Sequence, residues 1–457
     1  MKISPRTRLL ALAIAVSLPG TLLAQTAKER ELEARIAELE KIVAALAAER
    51  DAQKAEIAEV RNDLRTELTA TLGMEAAREA TDRAATSTAT PATGLMPGAN
   101  PGTRFSYGGF IKLDAMTTQT DSGRIAEGSA GRMFHVPSAI PVGGSDKQTY
   151  TDFGAQFSRF WLGADHVSDA GDKLKAYIEV DFFGGGSSQL GNETATNTHA
   201  LTLRHAYVSW NNWLAGQTWS NFMDVAALPD AVDFVGVTDG TVFVRQPQIR
   251  YTRGAWSFAL ENPQTWVQPH LAGARYNSGE NRLPDFTARW QTRGDWGHVS
   301  LAAMLRQYRA LGDSAQGISA SLSGKFVLGA QDDLRYAINS GRGIGRYLSL
   351  GLGPDVMVDA TGEIRPLTGT GGFIAWRHAF NQKLRGNLMY SAAHFDNDTD
   401  LTGLGITRSS QSLHANLIWS PLPKLDVGAE LGWGERTLEN GSSGKQKRIH
   451  TSVKYSF

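Results

Sequence analysis

No cysteine occurs among the 457 residues, so disulfides, thiol nucleophiles and Cys-ligated metals have no place in this protein's chemistry. Charge of one sign is not in excess either, since 46 Lys plus Arg meet 46 Asp plus Glu. That balance argues against a nucleic-acid partner, which needs a strongly basic face. Beyond residue 24 no unbroken apolar run approaches the roughly 20 residues of a membrane helix. If a membrane is crossed, only a closed β-barrel can cross it, because every backbone polar group must then be paired within the sheet. A Gly-x-Ser-x-Gly elbow and a His-Glu-x-x-His zinc pair are both missing, and the expectation is a protein without catalysis, metal or cofactor.

At the N-terminus, Lys2, Arg6 and Arg8 precede an apolar run over 9–18 and the exit Thr21-Leu22-Leu23-Ala24. This pattern predicts a secretory signal over 1–24, and so a protein that leaves the cytoplasm. Residues 25–72 are then rich in Ala, Glu, Leu, Arg and Lys. Ile36, Val43, Ile57 and Leu64 fall at position a, and Leu32, Leu39, Leu46 and Val60 at d, of a heptad repeat. The spacing predicts a left-handed coiled coil. Arg50 and Gln53 occupy a and d in one polar layer, of the kind that fixes register or oligomer number at a cost in stability. β-branched residues at a with Leu at d lean towards a dimer in isolated parallel coils, so the seam by itself does not establish a trimer. Residues 73–102, punctuated by Pro91, Pro97 and Pro101, read as a flexible linker.

From Arg104 onward the apolar pattern repeats every second residue, the period of a strand whose two faces meet different surroundings. Alternating segments begin at Phe105, Phe157, Leu174, Leu201, Trp213, Gln246, Trp256, Phe286, Val299, Ile318, Leu334, Phe373, Leu384, Leu413, Leu425 and Ile449. Sixteen is an even number, as bacterial outer-membrane barrels require. The fold class is therefore all-β: a 16-stranded antiparallel transmembrane β-barrel over 103–457, set in outer-membrane lipid and preceded by the α-helical coil. Short turns such as Asn211-Asn212 and Gly254-Ala255 alternate with long connections at 119–151, 184–198, 220–244, 262–283, 341–370 and 396–407. Strict alternation puts all tight turns, and both chain ends, on one side. Tryptophans 161, 210, 213, 256, 290, 296, 376, 419 and 433 gather where strands end, as interface-seeking rings do. A soluble barrel of this size would need a packed interior, whereas the inward faces here read as polar.

With the apolar face outward, phase places Lys112, Arg159, Lys175, Arg250, Arg289, Arg306, Arg335 and Arg385 inward, against few acids, chiefly Glu179 and Glu430. Arg204 and His205 fall on a strand of ambiguous phase. An inward excess of guanidinium groups concentrates anions and opposes cations, and the planar fork of Arg suits carboxylates. The connection at 219–245 mixes apolar residues with Asp224, Asp230, Asp233 and Asp239. Such a loop is expected to fold inward and narrow the lumen, its acids facing the basic wall to set a transverse field.

Tyr107-Gly108-Gly109-Phe110-Ile111-Lys112-Leu113-Asp114, Phe157-Ser158-Arg159-Phe160, Leu203-Arg204-His205-Ala206-Tyr207-Val208, Leu214-Ala215-Gly216-Gln217-Thr218-Trp219-Ser220-Asn221-Phe222 and Pro247-Gln248-Ile249-Arg250-Tyr251 together resemble the DcaP-like outer-membrane porins. The resemblance implies a homotrimer of barrels in a Gram-negative outer membrane, a periplasmic coil, and uptake of small anionic solutes such as dicarboxylates and aromatic carboxylates. It also implies lumen positions for Arg159 and Arg250, whose motifs match. An alternative is a general porin of low selectivity, tethering the envelope through its coil, with peptidoglycan as a partner. The last strand carries Tyr455 and ends on Phe457. A terminal aromatic there resembles the signal read by outer-membrane assembly machinery, which makes that machinery a further expected partner.

Overall fold

In the computed structural model, residues 103–184, 197, 199–271 and 273–457 are described. The expected signal, coil and linker at 1–102 lie outside them. The alternating segments fold into β1 (Thr103–Thr120), β2 in two pieces (Gln148–Gly154 and Arg159–Val167), β3 (Lys173–Gly184), β4 (Ala200–Trp210) and β5 (Trp213–Trp219). There follow β6 (Arg245–Arg253), β7 (Trp256–Glu261), β8 (Asp285–Gly294), β9 (Gly297–Ala310), β10 (Asp313–Leu328) and β11 (Asp332–Arg342). The last are β12 (Thr368–Ala379), β13 (Leu384–Asp396), β14 (Thr407–Leu422), β15 (Leu425–Leu438) and β16 (Ser443–Ser456). Each pairs antiparallel with its chain neighbour, and β16 closes on β1 by matching Ser456–Gln446 to Phe110–Thr120. Closure leaves no unpaired edge, which is what a strand-built membrane protein requires. The two pieces of β2 both pair with β1. Between them Phe157 turns inward and is buried; the segment expected to begin there is the second piece, and the first, Gln148–Gly154, lies partly in what the sequence suggested was loop.

The period of two sorts the faces. Ile111, Leu113, Leu162, Ile249, Ile318 and Leu431 point outward and are exposed, a costly arrangement in water and a favourable one against acyl chains. Trp210, Trp213, Trp256, Trp296, Trp376 and Trp419 are likewise exposed beside the tight turns, forming an interfacial girdle. Trp161 departs from the expectation. Its neighbours Phe160 and Leu162 face out, so its own ring faces in, stacked on Tyr177 at 5.6 Å.

Loop lengths also differ from strict alternation. On the long-loop side, β9 and β10 are joined by Leu311 and Gly312 alone, and β15 and β16 by residues 439–442. Other loops on that side do more than connect. The fourth (262–284) and sixth (343–367) carry short strands, Trp266–Gln268, Tyr276–Asn277, Val356–Val358 and Ile364–Pro366, which form a separate four-stranded sheet.

Part of the barrel interior is packed, contrary to the reading of an all-polar inside. Phe222, Met223 and Val242 of the third loop (220–244) meet Ile344, Tyr347, Leu348 and Leu352 of the sixth, against Met304 of β9 and Phe395 of β13. A bridge between Val242 and Leu348 ties the loops together. Burying side chains of this size contributes about 1.5–3 kcal/mol each, so this half of the interior behaves as a core. Period two reveals little of it, because most of the apolar partners come from loops and only a few, such as Met304 and Phe395, from the strands' inward face.

Candidate functional site

The third loop leaves β5 and follows the inner wall. Near its start, the Asn221 amide donates to Glu261 Oε1 (2.8 Å) and Arg289 donates to the Met223 carbonyl (2.9 Å). Asp224 contacts His298 (2.8 Å) and accepts from Ser323 (3.0 Å). Further on, Arg335 donates to the Leu228 carbonyl, and Arg385 pairs with Asp230 (2.6 Å). Lys112 donates to the Val232 carbonyl (2.8 Å), while the Val232 amide donates to Glu430 (2.8 Å). The loop returns past β12, where Gly240 donates to Ser391 (2.7 Å) and accepts from Asn339 (2.8 Å). Only a glycine fits at 240, since a Cβ there would overlap the backbone of Gly372.

These contacts assign roles that phase alone could not. Of the eight basic residues expected to line the pore, Lys112, Arg289, Arg335 and Arg385 hold the third loop. Arg306 faces inward but is sealed, 4 % exposed, between Asp285 (3.0 Å) and Asp355 of the sixth loop (2.8 Å). Beside it, Tyr347 donates to Asp285 (3.0 Å) and accepts from Gln246 (2.7 Å); burial, with Asp285 and Glu261 adjacent, pushes this phenol far above its ordinary pKa. Lys175 lies near the tight turns, 5.7 Å from the Tyr177 ring.

The loop acids are similarly engaged. Asp233 accepts from the amides of His135, Val235 and Gly236. Asp239 meets His135 (3.2 Å) and accepts from Ser412. Burial alone would raise the Asp239 carboxyl; the imidazole and the hydroxyl outweigh it and hold the group below the usual carboxylate range. Asp224, Asp230, Asp233 and Asp239 are thus bonded to wall or first-loop groups. A transverse field carried by free loop carboxylates is not what this arrangement supplies.

The side of the lumen bounded by β2 to β8 is different. A β-bulge between β3 and β4 matches Glu179 to His205 and Val180 to Leu203, with Arg204 as the extra residue. Arg204 and His205 are therefore both buried inside while Leu203 stays outside, which resolves the ambiguous phase. Arg204 pairs with Glu179 and Asp181, each at 2.7 Å, and Arg159 approaches Glu179 at 3.4 Å. Phe234, from the far end of the third loop, lies under both guanidiniums, 6.0 Å from Arg159 and 5.5 Å from Arg204. Its ring stacks on Phe157 at 4.4 Å.

Arg245, paired opposite Trp219 at the end of β5 and β6, packs its guanidinium 4.9 Å from the Trp219 ring. It is close enough to feel the charges of Arg204, Asp181, Arg159 and Glu179. Sequence reasoning passed over Arg245 because it follows a long loop, where strand phase is not yet defined. Among the described residues, no carboxylate lies within the 4.0 Å ion-pair distance of Arg245, Arg250 or Arg289. Arg250 is held instead by Gln248 and the Trp219 carbonyl. The arrangement is a partly exposed basic surface with aromatic faces beside it, facing a loop that starts on this side and is fastened further along to the other wall.

A family model described as DcaP outer membrane protein matches residues 65–457. Among solved structures, the outer membrane channel DcaP of Acinetobacter baumannii matches with a TM-score of 0.65 at 24 % identity, covering 79 % of this chain and 99 % of that chain. An anion-selective porin from Comamonas acidovorans matches with 0.49 at 10 %, covering 78 % and 100 %. The trimer form of OmpT from Vibrio cholerae matches with 0.47 at 9 %, also covering 78 % and 100 %. No curated protein matches. The family match takes in the whole barrel and the loops that fill it, and this chain belongs to the DcaP outer membrane protein family, as an outer-membrane porin.

Proposed function

We propose that this porin passes small anions by passive diffusion, with dicarboxylates and aromatic carboxylates among its solutes. The observation that carries the reading is the charge imbalance on the β2 to β8 side. Arg245, Arg250 and Arg289 have no carboxylate partner within 4.0 Å among the described residues, and the third-loop acids are engaged elsewhere. Unpaired guanidiniums beside a water-filled path raise the local anion concentration. The ring of Trp219 beside Arg245, and Phe234 beside Arg159 and Arg204, suit a planar solute that also carries a carboxylate. The solute-facing set in this proposal is Arg159, Arg245, Arg250 and Arg289, with Lys175 nearer the tight turns. Residues 25–72 form a periplasmic coil, a reading supported by the heptad pattern and by β1 starting on the tight-turn side, and the barrels assemble as a homotrimer, as the resemblance to the DcaP-like porins implies. Purified porin in a planar bilayer under a salt gradient should give a reversal potential of anionic sign. A cationic sign would overturn the assignment.

A further inference from the structure

The far end of the third loop meets the first loop (121–147) and β1, β14, β15 and β16 in a buried cluster rich in imidazoles. Four carboxylates take part: Asp114 of β1, Glu430 of β15, and Asp233 and Asp239 of the third loop. The fixed cations facing them are two, Lys112 at 2.8 Å from Asp114 and Arg448 at 4.0 Å from Asp233. Behind Arg448 lie Tyr150 and the mutually paired Arg132 and Asp152, which add no net charge. Three histidines complete the set, each against a carboxylate. His135 of the first loop faces Asp239 at 3.2 Å. His414 of β14 faces Glu430 at 2.8 Å, with its ring 5.3 Å from that of His135. His450 of β16 faces Asp114 at 2.8 Å and Asp233 at 3.9 Å. These three rings, Asp233, Glu430, Gln446 and Arg448 border one enclosed cavity of about 10 Å³, room for about one water. Asp114 Oδ2, Asp239 Oδ1, both amide atoms of Gln446 and His450 Nδ1 are buried with no hydrogen-bond partner among the described residues.

With neutral imidazoles, four negative charges face two positive ones, and two of the negative charges sit on the loop. We infer that this cluster is a pH-sensitive latch which holds the third loop against the β14 to β1 wall while its imidazoles are protonated and releases it when they are not. Protonation supplies the missing positive charge, and a proton on His450 Nδ1 gives that nitrogen a role towards Asp233. Deprotonation leaves Asp233 and Asp239 facing Asp114 and Glu430 in a closed, poorly solvated space, where like charges repel strongly. Phe234 of this loop already stands on the β2 to β6 side of the lumen, and a loop freed from the β14 to β1 wall shifts towards it. Release therefore narrows the path. The inference requires a conducting pore, and it holds whichever ion that pore prefers.

Single-channel conductance of the full chain, corrected for bulk conductivity, should fall in one step as pH rises. The variant H135N/H414N/H450N should lose this step, and H298N, which removes an imidazole near the start of the loop, should keep it. A conductance independent of pH, one that rises with pH, a step that survives the triple substitution, or a step lost in H298N would each overturn the inference. A second measurement needs no histidine change. Because the chain lacks cysteine, a nitroxide on Ala231→Cys reports the loop alone. Its spectrum should be immobilised below the midpoint and gain a mobile component above it; an unchanged spectrum would equally overturn the latch.

Discussion

Replacing Arg250 and Arg289 by Gln removes two guanidiniums that have no carboxylate within 4.0 Å among the described residues. Gln still offers a donor to the carbonyls of Trp219 and Met223 that these residues hold, so the main loss is charge. A permeating ion passing about 5 Å from one guanidinium interacts with it by about 0.8 kcal/mol in a path of dielectric constant about 80. At 0.15 M salt, with a Debye length of about 8 Å, screening leaves about 0.4 kcal/mol, which is about a twofold change in partitioning. Anions lose that factor and cations gain it, so the permeability ratio falls about fourfold per residue and about sixteenfold for the pair when the effects add. At 1 M salt the Debye length is about 3 Å, and the same pair should change the ratio by only about threefold. Reversal potentials at the two salt concentrations measure both figures. A double variant with the parent's selectivity, or one whose change is equally large at both salts, would refute the electrostatic reasoning; the latter would mean that the arginines act by shape.

Other outcomes follow from the loop clamps and the closing strand. Gly240→Ala drives a methyl into the backbone of Gly372 and should cost about 1–3 kcal/mol, seen as a lower thermal transition of the purified barrel and as noisier open-channel current. Arg385→Ala removes the nearer partner of Asp230 and leaves Arg377 at 3.8 Å; because the side chains of Arg385 and Asp230 are 19 % and 30 % exposed, about 1 kcal/mol is at stake. Single-channel records should show more frequent flickering, largely corrected by Arg385→Lys. Removing Phe457, whose backbone exchanges hydrogen bonds with Gly109 at 3.0 and 3.3 Å, should lower the yield of inserted barrel in cells more than it lowers the conductance of the barrels that form. A normal yield would count against an assembly role for the terminal aromatic.

Much of the barrel was legible because period two is local. Each strand announces itself through its own alternation, and closure of β16 on β1 follows from an even count. The site was legible only in part. Arg250 and Arg289 could be placed inside by phase, and Asp230 could be expected near a basic wall. Phase could not tell a guanidinium that has a carboxylate partner from one that has none. Arg306 looks in sequence like Arg289, yet it is sealed between Asp285 and Asp355, because its partner loop lies some 50 residues further on. Arg204 and His205 defied a phase assignment since a bulge, which depends on the neighbouring strand's register, turns both inward. Arg245 was missed since it opens a strand directly after a loop.

By itself the sequence determined the membrane-facing half of this protein: strand number, outward apolar face, aromatic girdle and the side on which the first strand starts and the last one finishes. Those features depend on residues adjacent along the chain and on the lipid, which is the same for every strand. The tertiary structure alone decided the inward half. Whether a charge lines a path or fastens a loop depends on what lies across the lumen, and the third and sixth loops bring apolar, acidic and imidazole groups there from far along the chain. A porin's selectivity and gating reside in that half, where packing between distant segments overrides the simple alternation that builds the wall.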